Sequence, residues 1–147
     1  MRFRHIMSLG ALSLTLCATQ ASAEQSDLVG TWTTETTILL ESEGKLIEAP
    51  RRHTFVIEEV DGQLVRGYRT WAGQADEPGY VGDVPQNEAR EPFIGTLSSD
   101  GQTLYLVETE DEGMIFCERI GADRIEMAYM ESAPHAIVFT AVLERAQ

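Results

Sequence analysis

A mature disulfide is the first thing this chain does without. Its 2 cysteines are Cys17 and Cys117, and Cys17 falls inside an N-terminal stretch built like a cleaved leader. A chain keeping Cys117 alone cannot close an intramolecular bridge. Packing and strand pairing must then hold what many small exported domains hold with staples. Positive charge is also scarce, with 11 Lys and Arg against 24 Asp and Glu and a net charge of −13. Such a surface repels nucleic acid and anionic membrane faces, so DNA and RNA drop out as partners. No later segment is apolar for long enough to cross a bilayer. The chain has no phosphate-cradling glycine loop, no nucleophile elbow and no Ser/His/Asp set at an informative spacing, so no residue is assigned a catalytic role. Metal ligands are equally thin. Past the leader the histidines are His53 and His135, in different elements and without a partner at ligand spacing, so neither a metal nor another cofactor is expected.

What is present begins with the leader. Arg2, Arg4 and His5 open it, Ile6 to Ala18 is apolar apart from Ser and Thr, and Ala21-Ser22-Ala23 is a small-x-small cleavage site. This pattern predicts a secretory signal peptide removed after Ala23, and a periplasmic or secreted mature chain. The apolar stretch is short for a membrane anchor. Leu16 before Cys17, where lipidation wants a small residue, argues against a lipoprotein. Residues 24–147 suit one domain with a modest core, and loss of Arg2 and Arg4 makes it two charges more acidic.

Eight strand-like runs follow. Leu28–Leu40 puts Trp32, Thr34, Thr36, Ile38 and Leu40 on one face and ends at Glu43-Gly44. Arg52–Val60 stops at Asp61-Gly62, a strong hairpin signal, and Leu64–Trp71 returns from it. Residues 72–90, from Ala72 to Arg90, are rich in Gly, Pro, acids and amides; they read as a long loop, either a segment that covers or lines a site or a disordered excursion. Pro92–Leu97, Thr103–Glu108, Met114–Ile120, Arg124–Glu131 and Ala136–Glu144 come next at short spacing, with Gly- or Pro-bearing turns between. Arg124–Met130 contains helix-favouring residues, but Ile125, Met127 and Tyr129 alternate with Arg124 and Glu126, which predicts a strand. Sequential hairpins predict an all-β fold, an eight-stranded antiparallel up-and-down barrel closed without free edges. The last run is apolar on both faces, through Phe139 and Leu143 on one and Val138 and Val142 on the other. Its outer face is the candidate surface for a homodimer.

Asp27-Leu28-Val29-Gly30-Thr31-Trp32 resembles the first strand of the calycin group, the lipocalins, fatty-acid-binding proteins and avidins. In those families a Gly-x-Trp tryptophan plugs one barrel end beneath a cation from near the last strand. The resemblance implies that Trp32 is that plug and Arg145 its cation, a contact of about 0.5–2 kcal/mol. Glu91-Pro92-Phe93-Ile94-Gly95 followed by Asp100-Gly101 is also similar to secreted bacterial proteins called lipocalin-like. Departures narrow what carries over. Thr33-Thr34-Glu35-Thr36 replaces the biotin-contacting turn of avidins, and Trp71 is the sole further tryptophan, so biotin is not expected. The disulfide and terminal helix of typical lipocalins do not fit either.

The leading expectation is a barrel that holds a small apolar or amphipathic molecule. Its candidate contacts are Thr34 and Thr36 on the Trp32 face, Tyr129, Phe139, and Tyr80 in the long loop, with Val81 beside it. Tyr68 and Trp71 are candidates on opposite faces of one strand, so an undistorted barrel takes in one of them. Each is equally at home as core packing. Arg66 and Arg69 also point to opposite sides. Whichever faces inward buries a charge at considerable cost, and without a partner it implies an anionic ligand. Cys117 reads as a buried small hydrophobe. Glu108 to Glu112 reads as a solvated acidic hairpin lacking the pattern of a calcium loop. Two further readings stay open: a periplasmic interaction module or inhibitor with a filled barrel, and a small isomerase or cyclase using Tyr68, Glu118 and Tyr129.

Overall fold

The computed structural model describes residues 27–73, 89–132 and 136–147. Its strands are β1 (Gly30–Ser42), β2 (Lys45–Asp61), β3 (Leu64–Gly73), β4 (Ala89–Leu97), β5 (Thr103–Glu108), β6 (Met114–Gly121), β7 (Arg124–Glu131) and β8 (Ile137–Arg145). Each pairs antiparallel with the next, and β8 returns to β1 to close the barrel. The predicted fold class is therefore the observed one. No described residue is helical. The predicted leader, and most of the long loop including Tyr80 and Val81, lie outside the described residues, as does His135.

β2, β3 and β4 are longer than alternation foretold. The first hairpin turns at Glu43-Gly44, with Ser42 opposite Lys45, so β2 begins seven residues before the expected Arg52. Pro50 hid this extension, because proline cannot donate a ladder hydrogen bond. It is tolerated because β3 reaches only to Gly73, opposite Arg51, which leaves Pro50 beyond the described pairing on that side. β3 and β4 likewise advance into the expected loop as far as Gly73 and from Ala89.

Alternation fills the barrel. At the end formed by the chain entry and the β2–β3, β4–β5 and β6–β7 turns, the interior is apolar: Leu28, Trp32, Phe55, Val65, Leu97, Leu104, Ile125 and Leu143 are buried. Cys117 is buried too, and burial pushes its thiol up to about 12, so it is an inert filler as expected. The other end, carrying the β3–β4, β5–β6 and β7–β8 connections, differs. Buried charge gathers there.

The closing seam is incomplete. β1 and β8 pair as Trp32 with Arg145, Thr33 with Glu144, Leu39 with Val138 and Leu40 with Ile137. These four pairs share one register, yet the five residues between them on each strand form no ladder pairs. Across this stretch Thr36 Oγ1 donates to the Thr140 carbonyl at 3.3 Å. Thr34, Thr36 and Ala141 have the parity of inward residues and are only half-buried, whereas Trp32, Ile38, Phe139 and Leu143 of the same faces are buried.

Candidate functional site

The sealed end comes first, because it sets which end is available. The Arg145 guanidinium lies 4.2 Å from the centroid of the Trp32 ring, and Trp32 is 1% exposed. Trp32 Nε1 donates to the Leu28 carbonyl at 3.0 Å. Arg145 donates to Asp123 Oδ1 at 3.0 Å, to the Val29 carbonyl at 3.2 Å and to the Asp27 carbonyl. The Gly-x-Trp spacing has a local cause. Gly30 sits at φ +146, and a Cβ there would come within 2.8 Å of Arg145 Nη1. A side chain would thus displace the cation from the indole.

At the opposite end the inward parity of β3 runs through Val65, Gly67, Arg69 and Trp71. Arg69 is 4% exposed and meets side chains from three other strands. Its Nε donates to Glu108 Oε1 at 2.6 Å, and Nη2 bonds both Glu91 and the Tyr129 hydroxyl, the latter at 3.0 Å. The guanidinium also lies over the rings of Tyr129, at 4.3 Å, and Trp71, at 4.7 Å. Burial works against the Arg69 charge, but Glu108, Tyr129 and Glu91 outweigh it and its pKa moves up. An inward arginine thus exists, as parity allowed. It does not call for an anionic ligand, because the chain supplies its counter-ions. Arg66 faces outward and pairs with Glu59.

The carboxyls of this cluster outnumber the guanidinium, and burial raises two of them, Glu91 and Glu131. Burial pushes Glu91 up to about 8, and the neighbouring Glu108 adds to the rise against the pull of Arg69. The Tyr129 oxygen lies 2.9 Å from Glu108 Oε2 and 2.6 Å from Glu131 Oε2. A phenol has one hydrogen, so it serves one of these acceptors and a protonated carboxyl must serve the other contact. Glu131, which burial pushes above the usual carboxylate range, fits that role. Tyr129 itself is driven upward, chiefly by burial, and stays a neutral phenol. Asp111 joins Glu91 and Glu108 with carboxylate oxygens within 4.8 Å of one another. Arg69 already engages two of the three, so a cation there would have to displace a guanidinium. The acidic hairpin is thus divided: Glu108 turns into the barrel, while Thr109, Glu110 and Glu112 are exposed.

His53 completes the set. It is 2% exposed, stacks on Phe139 at 4.6 Å and 17°, and is the cross-strand partner of Thr34 and of Trp71. Phe139 in turn stacks on Tyr129 at 5.1 Å. Both His53 ring nitrogens are buried with no hydrogen-bond partner. Burial, then the charges of Arg69 and Arg51, lower its pKa to about 3, so the ring is neutral. Arg51, also buried, gives Nη1 to the Pro50 carbonyl at 2.8 Å and has further contacts.

The structure therefore brings together Thr34, Thr36, Trp71, Tyr129 and Phe139 of the expected contacts. Tyr68 does not join them. With Arg69 inward it must point out, and there it lies under Arg90, 3.8 Å from guanidinium to ring centre. Glu118 is exposed on the outer face as well, which removes two of the three side chains considered for an isomerase. Sequence reasoning passed over His53, Arg51, Glu91 and Glu108 as members of a site. For His53 a signal existed, since it shares parity with Phe55 and Ile57 on β2.

No protein-family model matches the sequence, and comparison with curated proteins found no relative. Among solved structures, two resemble this chain at low similarity. One is a redesigned beta barrel, 11% identical, with a TM-score of 0.46 over 84% of this chain and 96% of that one. The other is the S-type phycobiliprotein lyase CPES of Guillardia theta, 7% identical, with a TM-score of 0.49 over 86% of this chain and 93% of that one. At these identities and TM-scores the likeness assigns this chain neither a family nor a role.

Proposed function

We propose that this chain is an exported binding protein that holds a small apolar or amphipathic molecule at the barrel end opposite the Trp32 plug. The observation that carries the reading is His53. A buried imidazole with two orphaned nitrogens costs free energy, about 1–3 kcal/mol for each unsatisfied group. A bound molecule that meets one of them recovers that cost. The setting suits recognition, since rings of Phe139, Tyr129 and Trp71 supply apolar surface beside a few fixed polar groups. The calycin-like opening Gly30-Thr31-Trp32 and the leader ending at Ala23 support carriage outside the cytoplasm. Native mass spectrometry of protein purified from its own host tests this reading. A retained small molecule, lost from a His53→Phe variant, is the expected result; a bare chain from both would count against carriage.

The outer wall favours a second reading, an interaction module. Ile94, Val107, Met114, Met130, Val138 and Leu39 are successive cross-strand partners from β4 round to β1, each 37–55% exposed. Apolar rows of this extent are characteristic of contact surfaces. A second copy of the chain is the proposed occupant, and sedimentation of wild type against Met114→Glu tests it. A monomer in both would remove the dimer.

A further inference from the structure

We propose that the gap in the β1–β8 seam is the mouth of the site, and that His53 behind it receives an uncharged hydrogen-bond donor, a hydroxyl or amide N–H, in preference to a carboxylate. This builds on the carrier reading and names what the carrier selects.

The route follows from the seam. β1 and β8 keep one register on both sides of a stretch without ladder pairs, and within that stretch Thr36 Oγ1 donates to the Thr140 carbonyl. Inward residues halfway along a closed barrel are ordinarily buried. Thr34, Thr36 and Ala141 are half-buried, so inward-parity residues reach solvent where the ladder lapses. Thr34 is the β1 neighbour of His53, and His53 meets Phe139 of β8 behind the small Thr side chains. A molecule passing between β1 and β8 thus arrives at the imidazole.

The selectivity follows from proton counting. A neutral imidazole has one N–H and one lone-pair nitrogen. A carboxylate offers acceptors alone, so it can meet only the N–H, whereas a hydroxyl can meet either nitrogen; each leaves the other nitrogen unserved, and a carboxylate meets a second donor only if the ring takes up a proton. Burial and the nearby guanidiniums oppose that protonation. Nor does a vacant counter-charge invite an anion. Arg69 is held by Glu91 and Glu108, with Glu131 and Asp111 adding further carboxyls at the same end, and Arg51 is engaged by the chain itself. A hydroxyl or amide donates to the lone pair and adds no charge.

The test uses Nile red as a reporter, with dodecan-1-ol and dodecanoate as competitors of equal chain length. The alcohol should displace Nile red at a concentration about tenfold below the carboxylate, the worth of one hydrogen bond to a buried acceptor. That preference should vanish in His53→Phe and return in His53→Gln. Thr36→Phe, which fills the gap, should slow Nile red uptake about tenfold in stopped-flow, a change of the size conferred by about 1.4 kcal/mol. Dodecanoate displacing as well as the alcohol, or a preference that survives His53→Phe, overturns the head-group assignment while carriage stands. An unchanged uptake rate in Thr36→Phe overturns the mouth. Failure of Nile red and both competitors to bind sinks the carrier reading itself.

Discussion

Gly113 makes room for Glu108: a Cβ at position 113 would fall 1.9 Å from Glu108 Oε2 and 2.7 Å from the Tyr129 hydroxyl. The backbone of the same hairpin is closed by Glu108 N donating to the Gly113 carbonyl at 2.9 Å. Gly113→Ala therefore pushes the carboxylate off Arg69 and leaves the guanidinium short of its main counter-ion. Breaking a buried pair costs about 3–5 kcal/mol, and the shift in the urea midpoint should fall in that range. A loss below about 1 kcal/mol, the size of an ordinary surface change, would mean that Glu108 relocates freely.

Arg69 and Glu108 are also a test of what the cluster contributes. Their side chains are 5% and 0% exposed, so neither charge can be rescued by water. Arg69→Met should destabilise by about 3–5 kcal/mol because Glu108 is left buried alone. Adding Glu108→Leu should recover most of that loss, since the remaining Glu91 carries a proton near neutrality. Equilibrium unfolding of the two single variants and the double variant gives the coupling directly. Additive losses would show that the two side chains act independently.

Strand content was legible in this chain because its turn residues sit at fixed intervals; β5 and β7 coincide with Thr103–Glu108 and Arg124–Glu131. The parity of Trp32, Phe139 and Tyr129 followed from the same alternation. The start of β2 was not legible. Lys45 to Arg51 lacks an alternating pattern and contains Pro50, and it is a strand because β1 pairs with it. The polar cluster was hidden for another reason. Arg69, Glu91, Glu108 and Tyr129 lie on four strands, and on so acidic a chain no single-sequence pattern says which carboxylates meet one guanidinium. Parity alone also left Tyr68 and Trp71 undecided, and Arg69 turning inward settled both.

The plug gives a prediction in the part of the fold that the sequence announced. Arg145→Leu removes the cation from the Trp32 face, worth about 0.5–2 kcal/mol, and its bonds to Asp123 and to the entry backbone. The expected loss is about 2–3 kcal/mol once those hydrogen bonds are counted. Gly30→Ala should cost at least as much, because its Cβ displaces the same guanidinium and the backbone at φ +146 strains any side chain, so the double variant should exceed Arg145→Leu by that strain and fall short of the sum of the two. Thermal unfolding of the three variants checks this. Fully additive losses would sever Gly30 from Arg145.

Two groups give the stability profile opposite slopes. Glu91 titrates near 8 when folded against an ordinary 4.5, so the folded chain holds an extra proton between those values and its stabilisation is lost as pH rises through about 8. Glu131 acts in the same direction. His53 titrates near 3 against an ordinary 6.5, so its contribution is present above 6.5 and lost as pH falls toward 3. From 4.5 to 6.5 the slopes of Glu91 and His53 oppose each other. Melting temperature should therefore be broadly flat there and decline on both sides. Glu91→Gln should flatten the alkaline decline and leave the acid one intact. An alkaline limb that survives this change would place the titrating group elsewhere.

His53→Phe is the substitution in which stability and binding part company. Phenylalanine keeps an aromatic ring against Phe139 and removes both orphaned nitrogens, each of which costs about 1–3 kcal/mol while unpartnered. The free protein should therefore gain about 1–3 kcal/mol, raising the melting temperature by several degrees for a domain of this size. It should also lose the acid limb of the pH profile that His53 supplies. Residues that weaken the empty fold are typical of sites shaped for something else, and this histidine would be one. A fall in melting temperature would show that the imidazole already has a partner, an ordered water bridging its nitrogens, and the cost attributed to it would disappear.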